Sequence, residues 1–271
     1  MPELPEVETV RRGIEPLISG RRVAQVVCRV PRLRLPLDPQ LDRQLRGQRV
    51  QSIGRRAKYL LFNLEQGTLF IHLGMSGVLS LVDPDWPLSK HDHVDIELDD
   101  GQLLRYNDPR RFGLLLYIEE DPFSHRLLQH LGPEPLSTDL PADYLFTRSR
   151  KRQVAIKNFI MDQKVLVGVG NIYASESLFA AGIDPRRAAG SIKRKEALKL
   201  LQCIQAVLAE AIMAGGTTLK DFRQSDGKPG YFTQQLQVYG RKGEGCLQCE
   251  GLIQHIVLGQ RSTFYCACCQ G

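Results

Sequence analysis

No apolar run in this 271-residue chain approaches the ~18 residues a membrane-spanning helix requires. Its start has no apolar segment of the secretory kind, because charged residues and Pro2, Pro5 and Pro16 break it up. A reducing, cytoplasmic setting is therefore expected, in which thiols bind metal or stay free rather than pair. There is no internal repeat and no low-complexity tract, which excludes solenoids, propellers and fibrous architectures. The glycine-rich Val167-Gly-Val-Gly-Asn171 lacks both the third glycine and the flanking strands of a dinucleotide loop. Two readings of it stay open: a compact helix–helix turn, or a phosphate held at the helix start by backbone N–H groups and Asn171.

Acidic residues are missing from one stretch in particular. Arg148, Arg150, Lys151, Arg152 and Lys157 follow one another with none between them. Further basic clusters are Arg55-Arg56 with Lys58, Arg110-Arg111, Lys193-Arg194-Lys195 and Arg241-Lys242. Each alone reads as a solvated surface. Together, on a chain of net charge +6 and pI near 9.0, they suit a groove that follows a phosphate backbone.

Apolar spacing gives the architecture. Val7, Val10, Ile14 and Leu17 recur at helical intervals over 5–18. From about 22 to 118 the pattern turns to short β-like runs: Val23–Val30, Tyr59–Leu64, Thr68–Leu73, Val94–Leu98 and Leu114–Ile118. Turns such as Asp99-Asp100-Gly101 separate them. Leu131-Gly-Pro-Glu-Pro135 reads as a linker, followed by helices near 142–147, 152–162, 171–181 and 193–213. Residues 217–232 read as a mobile loop. The class is α+β multidomain, with an N-terminal helix and a β-sandwich or barrel-like domain over 1–130, a helical domain over 131–235 and a third segment, 236–271.

That third segment closes with Cys246-x2-Cys249 and Cys266-x2-Cys269, the spacing of a structural zinc site. The stretch between them reads as a β-hairpin turning at Gly259-Gln260. Four thiolates would close the coordination of one structural Zn2+. Two disulfides in a secreted tail are the alternative. Cys268 could compete as a ligand, although the two-residue spacing favours Cys269. Cys28 and Cys203 read as small buried hydrophobes.

At the other end stands Met1-Pro2-Glu3. Removal of Met1 would leave Pro2 as a free secondary amine. An α-amino group titrates near ~8 against ~10.4 for lysine, so roughly a tenth is neutral at pH 7. Such an amine can attack a sugar C1′ to give an iminium, and Glu3 can move the proton. With Met1 retained, Pro2 is an amide nitrogen and inert.

Several blocks together resemble the formamidopyrimidine-DNA glycosylase (Fpg, MutM) family. They are Pro2-Glu-Leu-Pro-Glu-Val-Glu-Thr9, Arg55-Arg-Ala-Lys-Tyr59, Ile71-His-Leu-Gly-Met-Ser-Gly77, Lys90-His-Asp-His93 and Asp108-Pro-Arg-Arg-Phe112. Val167-Gly-Val-Gly-Asn-Ile-Tyr-Ala-Ser-Glu176, Gln224-Ser-Asp-Gly-Lys-Pro-Gly230 and the terminal cysteines complete the set, in family order over essentially the whole chain. The resemblance implies a helix-two-turn-helix middle domain and a monomeric, cytoplasmic bacterial repair enzyme associated with the nucleoid through DNA. Its partner would be double-stranded DNA carrying an oxidised purine or an abasic site. Pro2 would be the nucleophile, Glu3 the acid assisting sugar opening, Lys58 a cation aiding β-elimination, and Arg261 the residue acting in δ-elimination. His91, Arg110, Arg152 and Asn171 would contact the DNA backbone, while Met75, Arg110 and Phe112 fill the space left by an extruded nucleotide. Glu6 and Glu176 would frame the pocket, and the 217–232 loop would cover the base. His72 is either a further backbone contact or a satisfied polar group under the sheet. Three other readings remain: a non-catalytic zinc-dependent DNA binder, an N-terminal-proline tautomerase, and the related endonuclease VIII branch. The tautomerase needs neither zinc nor basic clusters. Leu4 and the Met75, Arg110 and Phe112 set favour the Fpg side of the last pair.

Overall fold

The structure, a computed structural model, describes residues 2–215 and 236–271, so the loop read at 217–232 lies outside the described residues. The chain forms two compact units, one running through Gln129 and a second comprising His130–Met213 and the stretch that ends at Gly271.

The first unit opens with α1 (Leu4–Ile18), which buries Val7, Val10, Ile14 and Ile18 along one stripe. Leu17, read as part of that stripe, is exposed. After it come β1 (Val23–Cys28), the short α2 (Leu41–Leu45), β2 (Val50–Arg56), β3 (Tyr59–Leu64), β4 (Thr68–His72), β5 (Val78–Val82), β6 (Asp92–Leu98), β7 (Leu103–Asn107) and β8 (Leu114–Ile118). They form two antiparallel four-stranded sheets, ordered β1-β6-β7-β5 and β2-β3-β4-β8. One apolar core takes residues from α1 and from both sheets, among them Val10, Ile14, Phe62, Ile71, Val94 and Leu104. This is the expected sandwich with its N-terminal helix. Cys28 departs from expectation and is exposed. It closes β1, an edge strand in which only Val23 and Val26 are fully buried. Cys203 is half-buried.

The second unit contains α3 (Tyr144–Ser149), α4 (Ile156–Met161), α5 (Asn171–Ala181), α6 (Arg194–Met213) and a hairpin of β9 (Ile253–Leu258) and β10 (Arg261–Cys266). Helix α4 begins later than 152 because the preceding residues turn: Lys151 has φ 63° and Ala155 bridges to Ala188. Helix α5 is buried on almost every side and ends at Gly182, whose φ of 73° suits glycine. Helix α6 buries Ala197, Leu200, Leu201, Ile204, Leu208, Ala211 and Ile212 as its inner stripe.

Two ion clusters are set into the first unit. Arg105 grips Asp95 with two hydrogen bonds, at 2.9 and 3.0 Å, and Arg29 adds a third at 2.6 Å. On α1, Glu8 takes hydrogen bonds from Arg11, Arg12 and Arg55. Burial pushes the Glu8 carboxyl up, but the three guanidinium groups outweigh it and bring the pKa from 4.5 down to about 2. A folded value below the unfolded one makes the stabilisation complete above about 4.5, and it is lost as pH falls through about 2. Glu8→Gln is therefore expected to cost about 2 kcal/mol at neutral pH. In urea unfolding, its deficit against the wild type should narrow steadily as pH is lowered; a gap independent of pH would contradict this reading.

Candidate nucleic-acid interface and metal centre

In the first unit, α1 starts immediately after Pro2. Glu3 is its N-cap, in a reciprocal capping box with Glu6, whose Oε2 accepts the Glu3 N–H at 2.8 Å. Glu6 thus has a structural task. Pro2 is buried, and Glu3 is only 2% exposed. Glutamate is not among the favoured N-cap residues, which are Ser, Thr, Asp and Asn. Here the Glu3 side chain nevertheless accepts the Glu6 backbone N–H within that box, so the buried carboxylate is held at the helix start.

Lys58 lies on the two-residue turn Ala57-Lys58 between β2 and β3, closed by the pair Arg56↔Tyr59, and is 8% exposed. His72 ends β4, with its Nδ1 accepting the Gly74 N–H at 2.9 Å, so its proton belongs on Nε2. Burial, with Arg34 and Lys58 nearby, lowers its pKa to about 3 and keeps the ring neutral.

Met75 and the Asp108–Phe112 segment sit on two loops joined backbone to backbone. A methyl group on Gly74, where φ is 65°, would stand 2.5 Å from the nitrogen of Gly113 and the carbonyl carbon of Phe112. The fully buried Asp108 joins them chemically. Its carboxylate accepts the Ser76 hydroxyl at 2.7 Å, the Gly113 N–H at 2.8 Å and the Arg110 N–H at 3.2 Å. Its own N–H donates to the His91 carbonyl at 3.0 Å. The loops that carry Met75, His91, Arg110 and Phe112 are thus tied to one residue, Asp108. Arg110 lies over the Phe112 ring at 4.9 Å, and Phe112 is 45% exposed, an apolar group held out toward solvent.

In the second unit, Arg152 is exposed on a turn whose carbonyl accepts the Gly190 N–H at 2.7 Å. Arg261 begins β10 and is exposed, next to a hairpin turn in which Gly259 and Gln260 both have positive φ, as type I′ requires. Lys157 corrects the sequence reading. It is not part of an exposed basic stretch: it is 0% exposed, and its Nζ donates to Asn171 Oδ1 at 2.7 Å, Thr263 Oγ1 at 2.8 Å and the Ser262 carbonyl at 2.9 Å. Three oxygens match the three protons of an ammonium, which makes its burial tolerable. The Asn171 amide completes the join by donating to the Ser262 carbonyl at 2.8 Å. Tyr239, not singled out in the sequence, accepts from the same amide at 3.3 Å and packs on Phe264. Glu176 is also structural here: its carboxylate accepts the backbone N–H groups of Gln237, Val238 and Tyr239 at 2.8–3.0 Å.

The four expected cysteines converge. The sulfurs of Cys246, Cys249, Cys266 and Cys269 lie within 4.8 Å of one another, with Cys246–Cys269 at 3.9 Å and Cys249–Cys266 at 3.5 Å. A tetrahedron with Zn–S bonds of ~2.3 Å has S···S edges of about 3.8 Å, so the donor set fits zinc. Backbone N–H groups of Gln248 and Gly251 point at Cys246 and Cys249, each at 3.4 Å, and would orient the thiolates. Cys268 is exposed and outside the set. The zinc is structural: it closes the finger that carries the Arg261 hairpin. Cys269→Ser should abolish zinc binding, while Cys268→Ser should still release about one zinc per chain on denaturation in a chromogenic chelator assay. Equal zinc in both variants would contradict this ligand assignment.

Known proteins match in the same order. Residues 1–115 match the formamidopyrimidine-DNA glycosylase N-terminal domain, 131–223 its H2TH domain, and 243–271 the zinc finger found in FPG and IleRS. The formamidopyrimidine-DNA glycosylases of Stutzerimonas stutzeri and Thioalkalivibrio sulfidiphilus are 60% and 57% identical over 270 residues, covering 100% of both chains in each case. The crystal structure of the MutM (Fpg) protein from Thermus thermophilus superposes with a TM-score of 0.89 at 39% identity, over 100% of this chain and 99% of that one. Lactococcus lactis Fpg in complex with abasic-site DNA gives 0.92 at 36%, over 99% of each chain. Carrying all three domains in order, with relatives of this identity along its full length, the chain belongs to the formamidopyrimidine-DNA glycosylase family.

Proposed function

We propose that this protein is a bifunctional base-excision repair enzyme. It removes 8-oxoguanine and ring-opened formamidopyrimidines from duplex DNA, then cuts the strand as an abasic-site lyase. The observation that carries the reading is the pairing of Pro2 with the buried Glu3 at the start of α1. A helix N-terminus disfavours a positive charge beside it, so a Pro2 amine there is pushed toward its neutral, nucleophilic form. Relatives solved with abasic-site DNA support the substrate class.

The chemistry follows from the groups. The Pro2 nitrogen bonds to C1′, the glycosidic bond breaks with its electrons going to the base, and Glu3 supplies the proton that opens the sugar. The resulting iminium withdraws electrons and acidifies the 2′ hydrogens. Loss of one expels the 3′ phosphate, a step the Lys58 ammonium assists. A second elimination expels the 5′ phosphate, and water then hydrolyses the iminium to free Pro2. In that last elimination Arg261 grips the flanking phosphates, because a guanidinium is a poor acid.

Met75 and Phe112 would wedge into the stack while Arg110 faces the orphaned base. His91, Arg110, Arg152 and Asn171 would hold the backbone. For Asn171 the side-chain amide is engaged with Lys157 and Ser262, which gives it the added task of seating the Arg261 hairpin. The enzyme would act as a cytoplasmic monomer, with catalytic, helical DNA-binding and zinc-finger segments at 1–130, 131–235 and 236–271.

Borohydride trapping on an 8-oxoguanine duplex should yield a cross-link on a peptide that begins at Pro2. Tight lesion binding with no cross-link would leave a DNA-binding protein or a water-using glycosylase. Turnover on 8-oxoguanine should exceed that on thymine glycol; the reverse would place the chain with the endonuclease VIII branch. Arg261→Ala should weaken lesion-DNA binding about tenfold and reduce its salt dependence by about one phosphate contact. Unchanged affinity with loss of the second elimination alone would make Arg261 a proton donor instead.

A further inference from the structure

The turn that carries Lys58 is held in a conformation its sequence does not favour. Ala57 has φ 54° and is 1% exposed. A left-handed residue with a side chain costs about 1–2 kcal/mol and persists only where its surroundings over-determine it. Glycine normally takes such a position in a two-residue hairpin turn.

Arg55 fixes the turn. Its Nη1 donates to the Ala57 carbonyl at 2.9 Å, and its Nε donates to Glu8 Oε2 on α1 at 3.0 Å. Glu8 is itself immobilised: Arg11 binds both its oxygens, at 3.0 and 2.8 Å, and Arg12 binds Oε1 at 2.8 Å. Arg55 is only 12% exposed at its side chain and Glu8 10%, so water competes little for these bonds. A single planar guanidinium therefore spans from the helix that follows Pro2 to the carbonyl beside Lys58. Lysine would match the charge but could not hold both acceptors at fixed angles.

We propose that Arg55 is the positioning residue of Lys58. The strut Glu8–Arg55–Ala57 references the Lys58 ammonium to α1, and so to the Pro2 amine at its start. The inference rests on the reading of Pro2 and Lys58 given above. It explains why a strained alanine is tolerated at this turn: the strain is balanced by a bond that sets the place of the next residue. It also gives the Glu8 cluster a purpose beyond stability.

The test separates base release from strand cleavage. On an 8-oxoguanine duplex under single-turnover conditions, released base is read as alkali-labile sites and lyase action as direct nicking. Arg55→Lys keeps the charge opposite Glu8, and Arg55→Met keeps the packed stem. Both should lower the ratio of nicking to base release by about tenfold or more, the scale of a small misplacement of a reacting group. Arg55→Lys should do so with a thermal midpoint within about 3 °C of the wild type. A purely structural arginine would reduce the two steps in proportion, through loss of folded enzyme. An unchanged ratio in both variants, whether the two rates are normal or fall together, overturns the proposal. If the wild type itself releases base without nicking, the lyase reading fails instead, and the strut falls with it.

Discussion

A carboxylate in the core of the first unit, Glu8, draws three arginines around it, and much of the candidate catalytic geometry is referenced to that point. The helix it sits on follows Pro2 and is capped by Glu3. The arginine it holds from β2 reaches the turn of Lys58. Taking Glu8 and Arg55 largely out of water is costly, and a hydrophobic cluster of similar volume would stabilise a sandwich at least as well. What a hydrophobic cluster cannot do is fix angles. Directional bonds to a planar guanidinium fix one strand turn relative to one helix, and placing a reacting group within a fraction of an ångström requires that.

The same device recurs elsewhere in the chain. Asp108 gathers Ser76, Arg110 and Gly113 so that two loops present Met75, Arg110 and Phe112 from one rigid base. In the second unit Lys157 inverts the sign: a buried ammonium joins α4, the start of α5 and the hairpin of Arg261 through three oxygens. Zinc finishes that hairpin from the other end by clamping Cys266 and Cys269 to Cys246 and Cys249. A two-stranded hairpin is marginal by itself, so metal and ammonium between them make it a rigid carrier. In each place the candidate side chain is held by a neighbour that is itself largely buried and hydrogen-bonded.

This division also explains what the sequence revealed. Cysteine spacing is a local property, so the zinc ligands and the rejection of Cys268 were legible. Apolar periodicity places α1 and α6 to within a residue or so, and short β-like runs mark the sheet domain; α5, buried on almost every side, carries no such stripe. The buried positioning groups were not legible. Lys157 lies in a run of basic residues, and only the three oxygens brought to it from α5 and β10 turn a surface lysine into an interior one. The task of Glu176 depends on backbone N–H groups about sixty residues later in the chain. Cys28 has apolar neighbours, which suggest burial, but it closes an edge strand that buries only Val23 and Val26. The late start of α4 is not legible either, because a left-handed Lys151 is a tertiary outcome without a residue signature.

On the proposed mechanism the Pro2 nitrogen is the reacting atom. The most direct measurement is the activity of otherwise unchanged protein in which an extra residue permanently precedes Pro2, converting its amine to an amide. Tight lesion binding with neither nicking nor a borohydride adduct is expected, while the processed chain gives both. Nicking at an undiminished rate by the blocked protein would contradict it and move the nucleophile to another residue.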